Sequence, residues 1–157
     1  MKEKILEAFR DLGFKLEEED GMGYCFNYEG LNLLYLYNEN DEEFLNIALP
    51  GIVDVEEDKM LQICALLEKI NSTLKYIKAY MLGNSVWLFY ERELFGEEDL
   101  MTVISRMILH LEAGLSFARK AMTEIEETMT NDSSDDDTAE SAEEIATEEI
   151  SNDDGNE

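Results

Sequence analysis

Cations, histidine, proline and cysteine are all scarce in this chain. Twelve Lys and Arg stand against 38 Asp and Glu in 157 residues, a formal net charge of −26. Phosphate contact needs clustered Lys and Arg, so general nucleic-acid binding is excluded. An anionic membrane surface would repel such a chain as well. One Pro and nine Gly exclude collagen-like and Pro-rich architectures. The single His110 leaves no His-x-x-x-His, and Cys25 and Cys64 make no Cys-x-x-Cys, so the donor sets of a zinc site are missing. Two such cysteines read as small buried apolar residues in a reducing compartment, with a disulfide or a reactive thiol as the other readings. Long uncharged runs are lacking too. No uninterrupted apolar run exceeds the five residues of Val86–Tyr90, far from the ~18 apolar residues of a membrane helix. Charges interrupt every short apolar run of Met1–Arg10, unlike the core of a signal peptide. These absences predict a cytoplasmic chain with no membrane or nucleic-acid partner and no cofactor.

What is present is strongly patterned. From Glu124 to Glu157 there are 15 acidic residues and no basic one, which leaves a net of −11 over residues 1–123. Ile5, Leu6, Phe9 and Leu12 at helical spacing, with Gly13 as the stop, predict a first helix. The period then changes to two. Phe14 and Leu16 predict a short extended piece before Glu17–Asp20. Tyr24, Phe26 and Tyr28 form one face of a strand, and Glu29-Gly30 reads as a hairpin turn. Leu31, Leu33, Tyr35 and Tyr37 form one face of the next strand, with Leu34 and Leu36 on the other. A third strand runs from Phe44 to Leu49 and ends at Pro50-Gly51. Asp54 with Glu57 resembles a capping box, before a helix striped by Met60, Cys64, Leu67, Ile70 and Leu74 and widened by Leu61, Ile63 and Leu66, so that much of it is expected to be covered. Tyr76–Leu82 and Val86–Tyr90 predict two strands around a Gly83-Asn84 turn. Glu97–Asp99 suit the positive end of a helix, which then runs from Leu100 to Ile125 with apolar groups at every turn. After about Met129 few apolar groups remain to offset an ordering cost of ~1–2 kcal/mol per residue. The expected organisation is one α+β domain over residues 1–127 and an acidic, disordered tail over 128–157, in which 140–150 has the makings of a transient helix.

This order of elements resembles the type III secretion chaperones and the YbjN-like family of bacterial regulators. The local features that carry the resemblance are the hairpin Tyr24–Gly30–Tyr37, the stretch Leu66-Leu67-Glu68-Lys69-Ile70-Asn71, the hairpin Tyr76–Tyr90 around Gly83-Asn84, and Glu97–Asp99 with Leu100. The resemblance covers residues 1 to about 127. It implies an α-β-β-β-α-β-β-α fold with a five-stranded antiparallel sheet packed with helices. It also implies a homodimer and a role in binding other proteins. It carries no invariant functional residue across, and the acidic tail departs from the pattern.

No catalytic constellation is visible. His110 sits off the centre of its helix stripe, and nothing in the sequence brings a nucleophile and an acid to it. The acidic runs 38–43 and 132–137 lack the ligand order of a calcium loop and read as solvated charge. Ser133 and Ser134 precede three Asp, a short pattern that arises by chance. The aromatics of the strands say more. Tyr and Trp favour half-wet surfaces and interface anchors. Tyr35 with Tyr37, and Trp87 with Phe89, share a strand face and are the candidate partner-binding residues, unless they simply pack the sheet against the helices. The expected function is a non-enzymatic module that binds a partner protein through an apolar sheet and helix surface. The alternative is a regulatory or sensory domain that binds a small ligand in a sheet–helix pocket.

Overall fold

A computed structural model describes the backbone of residues 1–148 and the side chains of residues 1–131. Helix α1 (Lys2–Asp11) buries Ile5, Leu6, Ala8 and Phe9, the spacing read from the sequence. Strands β1 (Glu17–Glu19), β2 (Gly23–Tyr28), β3 (Leu31–Leu36) and β4 (Phe44–Asp54) follow as an antiparallel meander. A 3-10 turn (Glu57–Lys59) leads into α2 (Met60–Thr73). Then come β5 (Ile77–Leu82), β6 (Ser85–Glu93) and α3 (Leu100–Glu148). The sheet order is β1-β2-β3-β4-β6-β5. The last hairpin therefore docks through β6, its more buried strand, onto β4.

Four expectations are corrected. The sheet has six strands, not five, because Glu17–Glu19 pairs with Gly23–Cys25 as an edge strand. The apolar Phe14 and Leu16 lie outside it. An edge ladder needs backbone pairing and no buried side chain, so three exposed carboxylates suffice and also repel further strands. Strand β4 does not stop at Pro50-Gly51. Its register to β6 shifts between Leu49 and Val53, and such a bulge tolerates a residue without an N–H. Asp54 is consequently the last residue of β4 and caps nothing. Tyr76 precedes β5 rather than opening it.

The chain divides into two compact units, Met1–Met122 and a second from Thr123 onward. The backbone of α3 stays helical to Glu148, past the boundary expected at 127. Thr128 and Thr130 Oγ1 donate to the carbonyls of Glu124 and Glu126, each at 2.8 Å, as helical threonines do. Residues 149–157 of the expected tail lie outside the described residues.

In the first unit the helices stand on one face of the sheet. Phe9 of α1 lies 4.9 Å from Phe26 and 5.5 Å from Tyr35, ring centre to ring centre. The α3 stripe Val103, Ile104, Met107, Ile108, Leu111, Leu115 and Ala118 is buried, as are Ile63, Leu66 and Ile70 of α2. A Cβ on Gly114 would sit 3.3 Å from Leu88 Cδ1, so this glycine sets how closely α3 approaches β6. Gly23 is stricter: with φ +142°, its Cβ would sit 2.0 Å from the Tyr35 carbonyl oxygen. By length and apolarity Leu100–Asn131 matches a membrane span, and here its inward stripe covers the sheet.

Candidate functional site

Strand alternation sends neighbouring residues to opposite faces, and register then decides what meets. Tyr24, Tyr35, Ile47, Tyr90 and Ile77 are successive Cα partners across the sheet, all on the helix-covered inner face. Cys25, Leu34, Ala48, Phe89 and Lys78 form the adjacent row on the outer face. The four candidate residues are therefore split between the two faces. Tyr35 is 1% exposed and sits in the core between Phe9 and Tyr24, where burial drives its phenol pKa upward. Tyr37 is half-buried at the rim. Its hydroxyl donates to Glu42 Oε1 at 2.7 Å, which with some burial pushes it up to about 12. The Lys2 ammonium lies 4.5 Å from its ring centre.

Trp87 and Phe89 do come together. On the outer face, Leu34, Ala48 and Phe89 form a small second core, with Cys25, Leu36 and Trp87 packed against it. Tyr80 lies on Phe89 at 4.1 Å with the planes 2° apart, and Trp87 lies 6.0 Å from Phe89 at 16°. Trp87 Nε1 donates to Ser85 Oγ at 3.0 Å. The result is a stack of three near-parallel rings with Tyr80 43% and Leu82 45% exposed. Glu91, paired with Lys78, flanks the stack, while Glu17, paired with Lys15, and Glu19 stand at the far β1 edge of the same face, beside Cys25. Tyr80 is one of the strand aromatics of the sequence but not one of its four candidates, and Leu82 is not singled out there, although the two-residue Gly83-Asn84 turn pairs Tyr80 with Trp87 by count alone.

Both edges of this sheet are closed to strand addition by different means. At β1 the guard is charge. At β5 it is Asn71, whose Nδ2 donates to the Ala79 carbonyl at 2.9 Å while its Oδ1 accepts from the Ala79 N–H at 2.8 Å. One amide thus occupies both outward-facing backbone groups of the strand's middle. The cysteines are both free thiols, but neither is buried as expected: Cys64 is exposed and Cys25 half-buried, and burial first, then Glu19, raises the pKa of Cys25. The raised pKa disfavours a reactive thiolate at Cys25.

A second concave feature lies on the inner side, at the sheet's end. It is a hollow of about 500 Å³ between β6 and the start of α3, lined by Tyr76, Tyr90, Arg92, Phe95, Arg106 and His110 among others. Tyr76 stacks on Tyr90 at 5.5 Å and 10°, and His110 packs against both rings at 5.9 and 5.7 Å. Of these residues the sequence singled out His110 for scrutiny and Tyr76 and Tyr90 as strand aromatics. The arginines come together only through the fold.

No family model and no curated protein matches this chain. Solved structures do. YbjN from E. coli, a candidate transcription regulator, superposes with a TM-score of 0.56 at 15% identity, over 74% of this chain and 86% of that one. The fold is YbjN-like. An uncharacterized protein from Methanothermobacter thermautotrophicus shares this YbjN-like arrangement, with a TM-score of 0.51 at 18% identity over 81% of this chain and 97% of the other. At such identities the likeness speaks to the fold alone.

Proposed function

We propose that this chain is a non-enzymatic binding module, chaperone-like or regulatory, whose outer sheet face receives an extended apolar segment of a partner protein flanked by Lys or Arg. The observation that carries this reading is the ring stack of Tyr80, Phe89 and Trp87, offered on the face opposite the helices. Strand addition is the common alternative for binding extended segments, and both sheet edges are guarded. Charge selects the occupant. An apolar face with Glu91 beside the rings and Glu17 and Glu19 at its β1 edge, on a chain of net −26, attracts cationic flanks and repels acidic ones. The same charge favours such a partner over a second copy of the chain, and over DNA.

Trp87 is the chain's single tryptophan, so it reports on its own site. Full-length protein titrated with a tryptophan-free Leu/Val peptide flanked by lysines should show a saturable change in Trp87 emission. The same peptide with glutamate flanks should show none. Replacing exposed Tyr80 and Leu82 with Asp should weaken binding about 10-fold or more, since each apolar side chain buried contributes ~1–2 kcal/mol. Absence of a saturable change, or equal binding by the double variant, would overturn the reading. The homodimer implied by the resemblance is an alternative occupant. A mass in solution that doubles with concentration and is abolished by the same double variant would replace the peptide with a second copy.

A further inference from the structure

The hollow between β6 and α3 lies on the inner face and stands independently of the outer-face reading. In a chain with 38 acidic residues, it collects two of the four arginines and the only histidine. Arg92 is already engaged: its Nη2 meets Glu98 Oε1 at 3.0 Å and its Nε donates to the Glu93 carbonyl at 3.2 Å. Glu93 also lines the hollow, but alternation places its side chain on the other face of β6 from Arg92. Arg106 makes no ion pair among the described residues. An unpaired guanidinium facing a concave wall is a ready donor for a carboxylate or phosphate.

The other wall is aromatic and held there at a cost. Tyr76 has φ +67°, a left-handed conformation that residues with a side chain rarely adopt. Its ring lies flat over Tyr90 yet remains 64% exposed, and Phe95, 76% exposed, also lines the hollow. A residue held in strain with its ring exposed in the same hollow as a guanidinium fits ligand contact better than core packing. The volume suits a small molecule, and the chain's overall charge disfavours a large polyanion.

We infer that this hollow binds a small organic anion carrying a planar ring, with its carboxylate or phosphate on Arg106 and its ring along Tyr76 and Phe95. The probes are benzoate, phenyl phosphate, benzyl alcohol and inorganic phosphate, titrated calorimetrically into the full-length protein. At least one aryl anion should bind one-to-one, and its acid group, carboxylate or phosphate, names the source chemistry. Benzyl alcohol, which has the ring without the charge, and inorganic phosphate, which has the charge without the ring, should each bind at least about 10-fold more weakly. Arg106→Gln, at an exposed position, should weaken the aryl anion about 10-fold or more with the melting temperature of the free protein unchanged. Tyr76→Gly relieves the backbone strain while removing the ring, so it should weaken binding without lowering that melting temperature by more than the lost stacking contact. Failure of both aryl anions to bind, binding of either half-probe as tight as the aryl anion, or wild-type affinity in either variant overturns the inference.

Discussion

Asn71→Ala isolates the device that closes the β5 edge. The Asn71 amide makes two hydrogen bonds to one residue, at 2.9 Å to the Ala79 carbonyl and 2.8 Å from its N–H. A hydrogen bond of this kind contributes ~0.5–1.5 kcal/mol net, and a buried group left unpaired costs more. Ala79 is only 4% exposed, but the Asn71 side of the pair is open to water, which can replace part of the loss. The expected destabilisation is therefore about 1–2 kcal/mol. For a body of about 120 residues that corresponds to a fall of about 4–10 °C in melting temperature. Urea unfolding at constant m-value measures it directly. The variant should also self-associate more than the wild type, because the freed N–H and C=O become a pairing template, and sedimentation at rising concentration reads that out. A loss under about 0.3 kcal/mol, with no added self-association, would refute the argument that this amide both holds and guards the edge.

Three further outcomes are expected. Asp99 caps α3, its Oδ1 accepting from the Met101 N–H at 3.2 Å and its Oδ2 from Thr102 Oγ1 at 2.6 Å. Asp99→Ala should then lower stability by about 1 kcal/mol in urea unfolding. The Glu98 carboxylate is held below its ordinary value of 4.5, first by the Phe95 N–H and then by the Gly96 N–H and Arg92. A depressed carboxylate stabilises the fold above its unfolded pKa and loses that effect as pH falls through the folded one. Glu98→Gln should thus be less stable than wild type above about pH 4.5, with the gap shrinking in acid. Equal gaps at pH 7 and pH 3 would contradict that linkage. The residues after 127 are proposed to add nothing to the core, so a chain ending there should melt within about 2 °C of the full length by calorimetry.

Local chemistry alone determined most of the elements. The 3.6-residue stripe of α3, the period-two runs of β2 and β3, and the turns at Glu29-Gly30 and Gly83-Asn84 are short-range signals, and the structure places elements on each. The resemblance drawn from their order leads to the YbjN-like fold. Where the reading failed, the deciding forces were not local. Glu17–Glu19 has no strand pattern of its own and became a strand because the β2 edge was there to pair with. Pro50-Gly51 reads as an end and became a bulge because β6 continued alongside. The candidate site divides in the same way. Trp87 and Phe89 were legible as strand aromatics, and the hairpin count contains their meeting with Tyr80. Tyr35 reads like Trp87 in sequence, yet register turns it inward under Phe9. Arg106 and His110 share a face of α3 one turn apart, and Arg92 joins them only because α3 crosses the end of β6. Periodicity along a chain states which residues share a face. Which face is covered, and which distant cations share a hollow, is decided by how the sheet and helices stack.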